Sequence, residues 1–428
     1  MKKTMLTILA VTLSLVLVAC SSPVSAEVLK SNKARDLSPS PSSSDLSALV
    51  QGNSAFALDL YQSLKAQNDG NMFYSPYSLS LALAMAYAGA RSDTASEMAD
   101  TLHFNLSQDA LHAAFNYLAL ELDKRGQSPS SRTSGSDEGF HLNVVNDAWG
   151  QKNFQFLASY LDTLAVNYGA GLRILDFIKD ADGARQTINQ YISDQTQGKI
   201  KDLIPPGAVN DLTRLVLTNA IYFKAAWQSP FVKEATGSGT FKLLNGGQVS
   251  VSMMHQMHFY SYIQGPGYQA VELPYDDGQL SMVVLLPDTG QFDAFQDALN
   301  SEMLDGIIAS MTEQNVILSL PKFQFDSSFG LKQALSSMGM PLAFSDKADF
   351  SGMDGAHDLL ISDVLHKAFV SVDEAGTEAA AASAVVVGVT AMPANPITLS
   401  IDRPFIFLIR DIQTGTILFV GRVMNPAI

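Results

Sequence analysis

Residues 376–392 read Gly376-Thr377-Glu378-Ala379-Ala380-Ala381-Ala382-Ser383-Ala384-Val385-Val386-Val387-Gly388-Val389-Thr390-Ala391-Met392, and no charge follows Glu378 until Asp402. The first half is small enough to pass between packed strands, and the second half is strongly β-prone. Without a proline before Pro393, every backbone N–H is available to a ladder, as a central strand requires. Yet the flanks, Asp373-Glu374-Ala375-Gly376 and Pro393-Ala394-Asn395-Pro396, are those of an exposed loop. A segment suited to both states is what a conformational switch needs. The same letters also read as an alanine helix followed by an ordinary core strand, so the remainder of the chain decides.

That remainder is a globular composition: 428 residues, 47% hydrophobic and 16% charged, enough to build a sizeable core. A net charge of −15 excludes nonspecific attraction to nucleic acid or anionic membrane surfaces. The start is different. Lys2 and Lys3 precede an apolar run from Met5 to Val18 that ends Leu17-Val18-Ala19-Cys20, which reads as a secretory signal over 1–19, too short to cross a bilayer comfortably. The tetrapeptide resembles a bacterial lipoprotein signal, which implies a lipid on Cys20, the one cysteine of the chain. Ser21 after it implies the outer membrane or cell surface. The stretch Ser21–Ser47 is rich in Ser, Pro, Lys and Asp with no apolar period, so 20–48 is expected to be a flexible tether. One domain is expected over 49–428.

Helical periods appear at Asn53–Lys65, Ser78–Gly89 and Gln108–Lys124. Strand-like runs appear at Leu142–Trp149, Arg214–Phe223, Tyr268–Leu273, Ser281–Leu286, Asn315–Leu320, Val364–Val372 and Thr398–Ile401. Phe405–Arg410 and Ile417–Val420 flank a glycine-containing turn, a hairpin signal. Helices first, then mixed strands without βαβ regularity, make an α+β fold. No G-x-S-x-G, G-x-G-x-x-G or G-x-x-x-x-G-K-[ST] occurs. His255 and His258 lack a third metal ligand nearby. Basic clusters are absent, so no polyanion cofactor is expected, and neither a catalytic role nor any other cofactor is indicated.

Several strings together resemble the serpin family, in the family's order from about Asn53 to Pro426. They are Asn71-Met72-Phe73-Tyr74-Ser75-Pro76-Tyr77-Ser78, Gln197-Gly198-Lys199-Ile200, Leu217-Thr218-Asn219-Ala220-Ile221-Tyr222-Phe223-Lys224 with Trp227, Leu320-Pro321-Lys322-Phe323, His366-Lys367-Ala368, Arg403-Pro404-Phe405 and Gly421-Arg422-Val423-Met424-Asn425-Pro426. The resemblance implies three β-sheets, eight to nine helices and a reactive-centre loop near the C-terminus that inserts into the central sheet once cut. On this chain it implies a hinge at Glu374–Gly376 and an inserting part from Thr377 through Glu378, Ala379, Ala380, Ala381 and Ala382 to about Val389. It places a polar cluster gating the sheet at Ser75, Ser78, Asn219 and His366, with Trp227 where insertion begins.

The resemblance implies a scissile bond sixteen positions after the hinge glutamate, hence at Thr390–Ala391, with Ala391–Met392 as the alternative. Small apolar residues there suit elastase-, subtilisin- or papain-like endopeptidases. The expected function is suicide inhibition through a covalent acyl complex by a monomer held at a membrane through Cys20. The competing expectation is a non-inhibitory relative whose loop is only a substrate.

Overall fold

A computed structural model describes residues 26–125, 141–377 and 395–427. The helices in chain order are α1 (Ser43–Lys65), α2 (Pro76–Tyr87), α3 (Ser92–Leu102), α4 (Gln108–Asp123), α5 (Ala158–Tyr168), α6 (Ala181–Gln195), α7 (Phe292–Ala298), α8 (Ser301–Ala309), α9 (Lys332–Met338) and the single turn α10 (Ser351–Asp354). Against an expectation of eight to nine, the described residues thus hold ten, of which α10 is one turn.

Two ladders organise the strands. The first runs β1 (Glu27–Leu29), β4 (Leu172–Leu175), β3 (His141–Gln151), β5 (Leu215–Ala226), β13 (Gly376–Thr377), β12 (Ile361–Val372), β11 (Phe323–Gly330). The second runs β14 (Ile397–Ser400), β10 (Thr312–Pro321), β7 (Gln248–Gly265), β8 (Tyr268–Pro274), β9 (Leu280–Pro287), β15 (Phe405–Asp411), β16 (Ile417–Val423), β2 (Met72–Tyr74), with β6 (Gly237–Lys242) on β7. Two of the three expected sheets are therefore joined. The 18-residue β7 carries β6 and β10 along its first part and β8 at its end, so one long strand belongs to both.

The buried helix α2 separates the two layers. Ser75 caps it, its Oγ accepting from the Ser78 N–H at 3.1 Å, and Pro76 fills the first turn where no N–H is needed. Nearly every side chain of α2 is buried, including Ser75, Ser78 and Ser80. On the opposite face of the first sheet, Ile188 and Ile192 of α6 pack with Val145, Trp149, Val216, Ala220 and Leu365. The Gln197-Gly198 turn that ends this segment is left-handed at both residues.

The expected tether is corrected from residue 26 onward. Glu27–Leu29 pairs with Leu172–Ile174 as an edge strand, and α1 begins at Ser43 with a capping box from Ser42 and Asp45. Composition hid this, because the segment is held largely by specific hydrogen bonds, with few apolar side chains such as Leu29 packed against the core. Residues 1–25, including the expected signal and Cys20, lie outside the described residues.

Candidate functional site

The site lies where β5 and β12 meet. These strands run parallel and pair directly from Leu215↔Ile361 to Tyr222↔Phe369. Beyond that point they part around β13, which pairs antiparallel to both, through Gly376↔Ala226, Thr377↔Ala225 and Thr377↔Val372. The two residues expected to begin an exposed loop are thus already a short central strand. Thr377 is fully buried.

The turn leading into β13 is held by backbone hydrogen bonds. The Asp373 N–H donates to Gly376 O, Trp227 N–H to Ala375 O and Phe231 N–H to Glu374 O, all within 2.8–2.9 Å. The Trp227 indole donates to Asp373 O at 3.0 Å and stacks on Tyr275, with centroids 4.7 Å apart. Tyr275 and Thr377 share a hydroxyl hydrogen bond of 2.7 Å, while burial holds the Tyr275 phenol neutral by pushing its pKa well up.

Glu374 is buried, and one carboxylate oxygen accepts from Thr236 at 2.8 Å and the other from Lys322 at 2.6 Å. Burial alone would raise its pKa; the Lys322 and Thr236 hydrogen bonds overcome this and hold it below the usual carboxylate range. Gly376 has a reason beyond hinge freedom. Its φ is +155°, and an added Cβ would sit 2.1 Å from Ala225 O.

Just below the fork lies a chain of buried polar groups. His366 Nε2 accepts from the Ser75 N–H at 3.2 Å, which leaves Nδ1 to donate to Asn219 Oδ1. Asn219 Nδ2 in turn donates to Ser78 Oγ and Asn146 Oδ1. The structure therefore brings together the four residues expected there and adds Asn146 of β3, which sequence reading missed; its position directly opposite Asn219 in the ladder is the missing signal. His366 is completely buried, and desolvation lowers its pKa to about 3, so it is neutral. Trp227 stands apart from this cluster, at the top beside β13. Glu378, Ala379, Ala380, Ala381 and Ala382, and the expected scissile residues Thr390, Ala391 and Met392, lie outside the described residues.

His255 and His258 fall on opposite faces of β7. The first bonds Ser319 Oγ at 2.8 Å, and the second meets Ser229 Oγ and Phe259 O, so they do not converge.

The seven-stranded sheet thus holds a two-residue strand wedged between β5 and β12 at one end, above a buried polar cluster. The family model for serpins (serine protease inhibitors) matches residues 51–426. An uncharacterised serpin-like protein of Thermococcus kodakarensis is 41% identical over 380 residues, covering 88% of this chain and 86% of its own. The leukocyte elastase inhibitor of Homo sapiens is 39% identical over 390 residues, covering 88% and 99%. The crystal structure of the thermophilic serpin tengpin in its native state superposes with a TM-score of 0.81 at 26% identity, covering 94% of this chain and all of that one. The chain belongs to the serpin family.

Proposed function

We propose that this protein is a suicide inhibitor of endopeptidases, driven by insertion of its cut loop between β5 and β12. The observation that carries the reading is the register of β13. Continued residue by residue on insertion, it would set Thr377, Ala379, Ala381, Ser383 and Val385 against Ala225, Phe223, Ile221, Asn219 and Leu217, a buried row of β5. On the other side the same residues would meet Val372, Val370, Ala368, His366 and Val364, again buried. Ser383 would arrive between Asn219 and His366, the pair now bonded to each other. A small hydroxyl there would replace one polar contact with another and leave no buried group unpaired.

The alternate positions are equally apt. On insertion Glu378 would fall opposite Lys224, placing opposite charges across the strand. Ala382 and Ala384 would fall opposite Ala220 and Thr218 of β5, in the part of the sheet covered by α6, where small side chains fit. Insertion exchanges one parallel β5–β12 ladder for two antiparallel ones. With roughly ten added hydrogen bonds at about 1 kcal/mol each, the gain is on the order of 10 kcal/mol before apolar burial is counted. The intact state is then metastable, kept by a barrier.

Acylation would fall at Thr390–Ala391, with Ala391–Met392 second, and small apolar residues there favour elastase-, subtilisin- or papain-like enzymes. The kinship with a leukocyte elastase inhibitor supports that choice. A lipid on Cys20 would hold the domain at the cell envelope. With Ala26 already beside the folded edge strand, at most six residues, about 20 Å, separate the lipid from the domain. Incubation with pancreatic elastase, subtilisin and papain, followed by a denaturing gel, tests the proposal. A covalent adduct is expected with at least one; complete cleavage without adduct throughout the panel would overturn it.

A further inference from the structure

We infer that residues 26–42 form an intramolecular strap that holds the sheet closed and keeps the uncut loop out. The inference rests on the insertion reading. For a strand to enter between β5 and β12, the block β1–β4–β3–β5 must move away from β12 and from the nine-stranded sheet behind it. The strap begins on that moving block, where Glu27, Val28 and Leu29 pair with Ile174, Arg173 and Leu172 of β4. It ends on the stationary body, since it runs directly into α1, whose Asn53 donates to Ile417 O of β16.

Between these ends it is pinned at four points. Ser31 and Lys33 bond the Asp162 carboxylate on α5. The Asp36 N–H donates to Val166 O at 2.9 Å. Arg35 Nε donates to Asn116 Oδ1 on α4 at 2.8 Å, and Asn116 Nδ2 returns a bond to Asp36 O at 2.7 Å. The helix α4 is itself fixed to the stationary body, because Arg125, just past its end, makes a buried ion pair with Asp411 of β15 at 2.6 Å. The chain of contacts β4–β1–Arg35–Asn116–α4–Arg125–Asp411 therefore ties the moving block to the stationary body.

Arg35 also lines a cavity of about 310 Å³ with Tyr77, Met85, Asp123, Asn146 and Tyr168. That cavity lies between α2, α4, α5 and β3, and its wall includes Asn146 of the polar cluster. Movement of β3 would deform it, and Arg35 ties the strap to its wall.

The test uses the full chain and a readout independent of any protease: the rate at which the intact protein, held at about 45 °C, converts to a monomer resistant to urea on a gradient gel. The combined variant Val28→Pro/Arg35→Ala, which removes the edge ladder and the α4 pin, should convert at least about tenfold faster than the parent. Asp162→Ala, a surface change that leaves the core intact, should accelerate conversion two- to threefold and serves if the double variant does not fold. Conversion within twofold of the parent for both, or simple reversible unfolding at a lower midpoint without conversion, overturns the strap. Failure of the parent to form any protease adduct would instead strike the inhibitor reading.

Discussion

Replacing Thr377 with arginine separates folding from insertion. In the intact protein Thr377 is fully buried and bonded to Tyr275, so the variant must withdraw the two-residue β13 from the fork. That sacrifices a handful of hydrogen bonds, roughly 1–3 kcal/mol in all, and leaves the rest of the sheet paired. After cleavage withdrawal is no longer possible, because Ala379 and the residues beyond can enter only if position 377 is seated between Ala225 and Val372. A guanidinium there is buried without a designated partner, an effective cost of several kcal/mol. If about 3–4 kcal/mol of this is felt during insertion, the step slows by roughly 10²–10³-fold, and deacylation wins. The assay is titration of the responsive protease with parent and variant, scored as adduct against cleaved inhibitor on a denaturing gel. The variant should be cleaved with little adduct, while Thr377→Ser, which keeps the hydroxyl, should behave as the parent. An undiminished adduct yield from the arginine variant would refute the reasoning.

Gly376→Ala should expel β13 as well, since its Cβ would collide with Ala225 O; a fall in thermal midpoint with loss of Trp227 near-ultraviolet dichroism would register it. Lys322→Ala leaves the buried Glu374 carboxylate with Thr236 alone, and should lower stability by about 1–3 kcal/mol in urea titration. The depressed pKa of His366, about 3 in the folded chain against an ordinary 6.5, means that the unfolded chain binds more protons between those values. Stability is then full above about pH 6.5 and falls as pH is lowered toward 3. His112, buried and lowered to about 4, adds to the same slope. His366→Gln should reduce the dependence of the urea midpoint over that window, and an unchanged slope would count against His366 being neutral.

Much of this was legible in the letters. The run Ser78–Gly89, small and mostly apolar, gives the buried helix α2, and Val364–Val372 gives the strand β12. What escaped was carried by partners rather than by patterns. The Ser- and Pro-rich stretch before α1 has the composition of a free tether, yet Arg35, Asp36 and Ser31 find partners on α4 or α5. Asn146 reads as a polar interruption of a strand, and only the β3–β5 register reveals that it faces Asn219. That Thr377 is already seated depends on Trp227, Tyr275 and Phe231, all distant in sequence. The joining of two sheets through β7 depends on the length of one strand whose centre, His255–Phe259, is largely exposed and so lacks an apolar period.

The most direct measurement compares thermal melting of the intact chain with that of the same chain nicked in its loop. For a domain of this size about 10 kcal/mol of added ladder raises the midpoint by at least roughly 10 °C, so the nicked form should melt well above the intact one. Coincident midpoints would mean that no strand was added, and the account would fail.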